Sequence, residues 1–395
     1  MKVLLLQTEL GVLRGGGENF SRNLLSAFAE RGHRVSAAFF ADRLGHYPLA
    51  LPSSFVPLPL RDTASLDSLG RVVSVVGRYI AGGRKLKPKW DRVQTGIDWR
   101  TFKWRQERFQ RAVHRELASR WNDFDVVYVH SDVALASQVS KIRPTILRLS
   151  GPVGQELKSE LLALPAVCAN GDALVRLRGF LGDHPTEIPI GLDDKLFSPQ
   201  PTAIRANLGW TEQHFVLGYV GRFHHLKGVD LLASAFKKLS QVRPEARLLL
   251  IGEGEQEGTI RAILAEEIAQ NVVRIEPSID HAQLPLWYCV MDLFAMPSRY
   301  ENFSNAILEA MACGVPFLSS NTGGNALLAK TRGGWTFEAS SDLSLSERLL
   351  AILADRSEVK ARGATARRSV QGQYSWKASA ECLERVISSR LGVTT

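Results

Sequence analysis

The chain has 395 residues, 45% of them hydrophobic and 23% charged, with a net charge of +9 at neutral pH; this is the make-up of a folded protein larger than one hydrophobic core ordinarily supports. Its four cysteines, Cys168, Cys289, Cys313 and Cys382, stand far apart without a CxxC pair, which argues against a disulfide framework or a zinc site and fits a reducing cytosol. The apolar run at Met1–Glu9 is too short for a signal peptide and no stretch approaches the roughly 20 apolar residues of a spanning helix, so a cytoplasmic location is expected.

In chain order, Val3–Gln7 reads as a buried strand. Arg14-Gly15-Gly16-Gly17-Glu18-Asn19 then reads as a glycine loop opening a helix over Glu18–Glu30, with Phe20, Leu24, Leu25 and Phe28 on one face. Such a loop lets a phosphate or sugar approach the backbone. It is not a dinucleotide fingerprint, because G-x-G-x-x-G does not continue beyond Gly17 and the second strand offers no evident acidic partner. Further strands are expected at Arg34–Phe40, Asp125–His130, Thr145–Leu149, Val167–Asn170 and Glu187–Ile190. Between the second and third lies the basic excess: residues 84–115 hold 11 basic groups against 3 acidic ones. Its Trp90, Trp99, Trp104, Arg105, Arg108 and Arg111 suit a membrane face or, less well, nucleic acid. The plainer alternative is a helix packing its aromatics inward while its arginines stay wet.

Leu196-Phe197-Ser198-Pro199-Gln200-Pro201 interrupts the pattern with two prolines and reads as a domain boundary. The α/β alternation then restarts: strand Phe215–Val220, helix Val229–Leu239, strand Arg247–Ile251, helix Thr259–Ala269 and strand Val272–Ile275. Helix Leu284–Cys289, strand Leu293–Met296, helix Phe303–Cys313 and strand Pro316–Ser319 follow, and the chain is mostly helical from about Leu343. This predicts an α/β protein of two doubly wound, Rossmann-like domains facing across a cleft, since open parallel sheets bind ligands beyond their carboxyl ends.

Two segments carry chemistry. Gly221-Arg222-Phe223-His224-His225-Leu226-Lys227-Gly228 joins a strand to a helix, and its Arg222 and Lys227 can place two cations over one diphosphate. The adjacent His224 and His225 point different ways without an acidic ligand cluster, so no metal site is expected there. In Glu301-Asn302-Phe303-Ser304-Asn305-Ala306-Ile307-Leu308-Glu309, the second glutamate lies two turns into a helix. At about 100° per residue the eight-residue spacing rotates by roughly 80°, so both carboxylates can border one site. The amides of Phe303, Ser304 and Asn305 open the helix as an anion site. Glu309 sits among Ile307, Leu308, Ala310 and Met311, where an acid needs a partner.

The E-x7-E segment running into Glu309-Ala310-Met311-Ala312-Cys313-Gly314, preceded by Gly-Arg-x4-Lys-Gly, resembles the retaining glycosyltransferases of the GT-B fold, glycosyltransferase family 4 (glycosyl transferases group 1). The resemblance implies that Arg222 and Lys227 contact a donor diphosphate, Glu309 the ribose and Glu301 the transferred sugar. It implies that Phe303, Ser304 and Asn305 hold sugar and phosphate oxygens, that Gly16 and Gly17 face the donor, and that His130 lies beside the donor sugar. A histidine ending a strand and bonded to a nearby loop is the competing reading of His130. Ile190-Gly191-Leu192-Asp193 resembles the family's inter-domain Asn-Gly-Val-Asp, with Ile190 in place of Asn. At Leu147-Arg148-Leu149 many relatives carry a histidine; Arg148 can bind an anionic acceptor or pair with a carboxylate.

The resemblance implies an acceptor-side domain over 1–195, a linker over 196–210, a nucleotide-sugar domain over 211–374 and a helix over 375–395 crossing back onto the first domain. It also implies retaining transfer without a metal or other cofactor, from a nucleoside-diphosphate sugar, with a UDP-sugar as the commonest donor. The acceptor would be a glycan or lipid-linked hydroxyl, in bacterial polysaccharide, lipopolysaccharide or glycolipid synthesis, with residues 84–115 offering peripheral contact to the inner membrane face. A nucleotide-sugar epimerase, a phosphorylase, a non-catalytic nucleotide-sugar sensor and a nucleic-acid binder are the alternatives; fold alone does not separate the first three.

Overall fold

The computed structural model describes residues 1–8, 16–40, 52–60, 103–151 and 153–394. Arg14 and Gly15 of the expected glycine loop and the greater part of the basic tryptophan-rich segment, residues 84–102, lie outside the described residues. The chain forms two compact units: Met1–Cys168 with Phe180–Thr186 and Ala380–Thr395, and Ala169–Gly179 with Glu187–Ser379.

The first unit is built on a seven-stranded sheet in the order β3-β2-β1-β4-β5-β6-β7. The strands are β1 (Lys2–Leu6), β2 (Arg34–Phe40), β3 (Phe55–Leu60), β4 (Val126–His130), β5 (Thr145–Arg148), β6 (Ala166–Ala169) and β7 (Thr186–Glu187). Near-continuous apolar runs such as Val3–Leu6 and Val126–Val129 are buried throughout, as parallel strands covered on both faces must be. Strand β3 carries Pro57 and Pro59, which cannot donate to a ladder; it survives because it is an edge strand. The strand expected at Glu187–Ile190 is reduced to Thr186–Glu187. The Ile188 amide still donates to the Ala169 carbonyl at 3.1 Å, and Pro189 ends the pairing.

The helix over residues 103–117 buries Phe109, Ala112, Val113 and Leu117. Arg108 is also buried, its guanidinium 4.2 Å from the Trp104 ring, so this arginine is not the wet side chain expected of the segment. Lys103, Arg111 and Arg115 are exposed. Among the described residues no helix is long and apolar enough to cross a membrane.

The end of helix Trp376–Leu391 belongs to the first unit. There Glu384 takes a forked pair of hydrogen bonds from Arg31 at 2.7 and 2.8 Å and sits 2.8 Å from His33 Nε2. The Arg31 hydrogen bond, then that of His33, holds the Glu384 carboxyl at about 2, against an ordinary value near 4.3. A depressed acid contributes stability that is present above its unfolded value and fades as pH falls toward the folded one. Urea unfolding should therefore show Glu384→Gln less stable than wild type at pH 6, by on the order of 1 kcal/mol. The gap should close as pH drops from about 4.5 toward 2.

The second unit holds a six-stranded parallel sheet, β10-β9-β8-β11-β12-β13. Its strands are β8 (Phe215–Val220), β9 (Ala246–Ile251), β10 (Val273–Glu276), β11 (Leu293–Met296), β12 (Phe317–Ser320) and β13 (Gly334–Phe337). Both units thus have the doubly wound form expected. The helix expected at Thr259–Ala269 is two, Glu257–Ile263 and Ala265–Ala269, broken at Leu264, whose side chain is fully buried.

Residues 169–179 and 187–195, assigned by sequence to the first domain, belong to the second unit. Backbone amides of Asp172 and Ala173 bind the Asn302 carbonyl and Oδ1 at 3.0 and 2.8 Å, and Leu192 donates to the Tyr374 carbonyl at 2.9 Å. These bonds tie segments distant in sequence, which no local pattern announces.

Candidate functional site

Strand β8 runs into the first motif. After Gly221, whose amide donates to Ile251, the chain is pinned by Phe223, fully buried and bonded through its amide to the Glu253 carbonyl at 2.8 Å. With Phe223 anchored inward, Arg222 is left exposed, its carbonyl held by the buried Tyr219 hydroxyl at 2.9 Å. Among the described residues the Arg222 guanidinium has no hydrogen-bond or ion-pair partner. His225–Lys227 form a 3-10 turn in which His224 Nδ1 accepts from the Leu226 amide. Gly228 closes the turn at φ +67°, with the Pro297 carbonyl oxygen 2.1 Å from where a Cβ would stand. No side chain fits there, and the close approach fastens the Lys227 turn to the end of β11.

That approach brings the two motifs together. Lys227 Nζ lies 2.5 Å from Glu301 Oε2, both side chains largely buried, and the Ser298 hydroxyl is 3.4 Å from the same oxygen. Arg299, next along the loop, forks onto Asp230 at 2.9 and 2.8 Å. The Glu301 carbonyl accepts from Gly324, and Asn302 is held by Asp172 and Ala173. A Cβ at Gly324 would stand 2.0 Å from the Asn302 oxygen, so the loop rests directly on glycine backbone.

The helix after this loop starts at Asn305, two residues later than expected, because Ser304 is its N-cap and accepts from the Ile307 amide at 3.3 Å. Among the described residues the amides of Phe303, Ser304 and Asn305 donate to no protein group, which leaves partial positive charge at this end.

Glu309 has the partners its apolar helix demands. The buried Tyr288 hydroxyl donates to Oε2 at 2.8 Å, and His281 Nε2 lies 3.2 Å from Oε1. The hydrogen bond to Glu309 raises the His281 pKa, opposed by partial burial and assisted by Asp193 and Asp280. Phe197 meets the His281 ring edge-on at 5.0 Å. Neither His281 nor Tyr288 was singled out by sequence; both precede Glu309 by more than 20 residues, and nothing in their spacing marks them.

The other expected site residues lie in the first unit. Gly16 and Gly17 open helix Gly16–Glu30. His130 ends β4 with Nδ1 2.9 Å from Ser21 Oγ, and is buried. Burial first, and the Arg148 charge second, hold its pKa well below the ordinary histidine value, so its imidazole is neutral near pH 7. Arg148 ends β5, 2% exposed, with its guanidinium 3.9 Å from the centre of the Phe20 ring. Among the described residues no group of three or more histidine, cysteine or carboxylate side chains is placed to hold a metal ion.

Residues 201–369 match the family Glycosyl transferases group 1. The chain is 33% identical over 229 residues to a GDP-mannose-dependent monoacylated alpha-(1-6)-phosphatidylinositol monomannoside mannosyltransferase of Corynebacterium glutamicum, covering 55% of this chain and 60% of that protein. It is 31% identical over 293 residues to a D-inositol 3-phosphate glycosyltransferase of Kineococcus radiotolerans, covering 67% of this chain and 66% of that protein. The matches thus span less than two thirds of these curated relatives. Among solved structures, sucrose-phosphate synthase from Thermosynechococcus elongatus superposes with a TM-score of 0.74 at 19% identity over 99% of both chains. Anabaena HepE in complex with UDP gives 0.69 at 19% identity over 98% of this chain and 100% of that one. At such identity the likeness concerns the fold.

Proposed function

We propose that this chain, whose residues 201–369 match the glycosyl transferases group 1 and whose fold is that of GT-B enzymes, transfers a sugar from a nucleoside diphosphate to an acceptor hydroxyl with retention of configuration. The observation that carries this reading is the joining of both motifs in one unit. Lys227 and Glu301 touch, Arg222 stands exposed with its charge uncommitted, and the amides of Phe303, Ser304 and Asn305 are open. Arg222, Lys227 and that helix N-terminus neutralise the departing diphosphate, the work a metal ion does elsewhere, and so make transfer metal-independent. Glu309 takes the ribose hydroxyls and Glu301 lies by the sugar. For the first unit we assign Gly16, Gly17 and His130 to the sugar and Arg148 to the acceptor. The acceptor attacks on the face the diphosphate leaves, and the diphosphate takes its proton.

The HepE complex with UDP favours a UDP-sugar; the GDP-mannose dependence of the Corynebacterium relative makes GDP-mannose the competing donor. That relative's phosphatidylinositol mannoside supports a lipid-linked or glycan acceptor, reached by residues 84–115 at the inner membrane face from a cytoplasmic protein. Thermal-shift screening of the full chain against UDP-sugars and GDP-mannose tests the donor, since a ligand that binds the native state raises its midpoint. Product mass, anomeric configuration by NMR, and activity in chelator then test transfer, retention and metal independence. Donor consumed without a glycosylated product would instead indicate an epimerase, and donor bound without turnover a sensor.

The His281–Glu309 pair adds a pH dependence. As pH falls through the raised His281 value, the imidazolium holds the carboxylate more tightly against the incoming ribose. Donor affinity measured by calorimetry should fall toward pH 5.5 in wild type and change less in His281→Ala; equal pH profiles would remove His281 from donor binding.

A further inference from the structure

Two of the four cysteines lie together in the second unit, beside Glu309. Cys289 directly follows helix Leu284–Tyr288, and Cys313 follows helix Asn305–Ala312, one turn beyond Glu309. The helices meet where the Tyr288 hydroxyl donates to Glu309, and the Cys313 amide donates to the Glu309 carbonyl at 3.1 Å. The Ser198–Gln200 turn reaches both helix ends. The Gln200 amide donates to Cys289 Sγ at 3.3 Å, and the Cys289 thiol donates to the Ser198 carbonyl at 3.8 Å. Pro199, between them, has its Cγ 3.6 Å from where a Cβ on Gly314 would stand. Within this frame the Cys289 and Cys313 thiols hydrogen-bond to each other, Cys289 partly exposed and Cys313 buried.

The two sulfurs have unequal chemistry. The hydrogen bond from Cys313, helped by the Gln200 amide and the Arg367 charge, outweighs partial burial and holds Cys289 below the ordinary thiol value. Cys313, the donor in that bond and buried, is held above it. The more accessible sulfur is therefore the one that ionises, and the thiolate is the nucleophile. A cavity of about 50 Å³ adjoins the pair, lined among others by Phe197, which precedes Ser198, by Ala312, which precedes Cys313, and by Arg367. It has room for a molecule the size of hydrogen peroxide beside a fixed cation. In a reducing compartment a bond between such thiols is transient and reports oxidation.

We infer that Cys289 and Cys313 are the site of a reversible disulfide, made with a peroxide as oxidant, whose closure displaces Glu309 and weakens nucleotide binding. The Cys289 thiolate attacks one peroxide oxygen; an S–O bond forms, the O–O bond breaks, and the departing hydroxide takes up the proton Cys289 released, giving water and a sulfenic acid. Cys313 then attacks that sulfur; the S–S bond forms, the S–O bond breaks, and hydroxide leaves as water with the Cys313 proton. Two thiols are oxidised and one peroxide is reduced to two waters. The sulfurs must close from hydrogen-bond contact to about 2.05 Å. That pull falls on the residue after Tyr288 and on the turn that follows Glu309.

The effect on nucleotide rests on the proposed function; the disulfide and the movement of Glu309 do not. The full chain is treated with hydrogen peroxide, cut with trypsin, which separates the two cysteines at Arg299, and mapped by mass spectrometry without reduction. The Cys289 and Cys313 peptides should be found linked, and dithiothreitol should part them. In Cys313→Ala, Cys289 should stop at the sulfenic acid and be captured by dimedone; in Cys289→Ala, Cys313 should take no label. His281, 3.2 Å from Glu309, reads the displacement. Its NMR titration midpoint should fall on oxidation, return on reduction, and stay unchanged by peroxide in either variant. Calorimetric affinity for UDP or GDP should drop at least ~10-fold on oxidation, as when one hydrogen bond to a charged group is lost. Absence of the linked peptides, or linkage through Cys168 or Cys382 in their place, overturns the inference. So does linkage that leaves the His281 titration unmoved, or the affinity of a nucleotide that binds the reduced chain. If His281 responds while neither nucleotide binds the reduced chain, the disulfide stands and the donor reading of Glu309 falls.

Discussion

Lys227→Ala is expected to lower kcat/KM for nucleotide-sugar turnover by about 10²–10³-fold, the range seen when one preorganised donor to a developing oxyanion is removed. Two effects combine. The leaving diphosphate loses a cation that the Gly228 turn holds in place, and Glu301, whose side chain is 13% exposed, loses the ammonium 2.5 Å from it. An unpaired carboxylate then faces an arriving anion. The second effect is separable: Glu301→Gln in the Lys227→Ala background should recover about tenfold in diphosphate affinity, roughly 1.4 kcal/mol. Calorimetric titration with the nucleoside diphosphate measures this without reference to the sugar. If Lys227→Ala binds and turns over donor as wild type does, the ion pair is structural only.

Glu309→Ala should weaken nucleoside binding by about 10–150-fold, equivalent to the 1.5–3 kcal/mol of a hydrogen bond to a charged group. It should also destabilise the fold, because the Tyr288 hydroxyl is wholly buried and loses the carboxylate it donates to at 2.8 Å. That cost is about 1–3 kcal/mol for an unsatisfied buried donor. Adding Tyr288→Phe to Glu309→Ala removes the orphaned hydroxyl, so the double variant should regain stability while binding stays weak. Recovery of both together would mean that Glu309 serves the fold and not the ligand.

The sheet of the second unit was largely legible, because β8 and β11 are uninterrupted apolar runs between turn residues and β9 is apolar from Leu248 to Ile251. Strand β3 was not, since Pro57 and Pro59 contradict strand propensity and only the edge position admits them. Strand β13 and helix Gly323–Ala329 also escaped, being short elements whose apolar residues show no clean period. In the site, the motif spacing pointed to Arg222, Lys227, Glu301 and Glu309, and the fold brings Lys227 to Glu301 because Gly228 seats on Pro297. What spacing does not encode is the supporting shell. His281 and Tyr288 on Glu309, Asp172 and Ala173 on Asn302, and Ser21 on His130 all join segments far apart in sequence. In the described part of the basic segment Phe109 packs inward as the plainer reading has it, while Arg108 is buried against Trp104 rather than wet, which composition does not specify.

The most direct measurement is a crystal structure of the full chain with the nucleoside diphosphate that gives the largest thermal shift. The diphosphate should lie against Arg222, Lys227 and the amides of Phe303, Ser304 and Asn305, with the ribose hydroxyls on Glu309. A nucleotide bound away from these residues, leaving the Lys227–Glu301 pair and Arg222 untouched, would contradict the assignment.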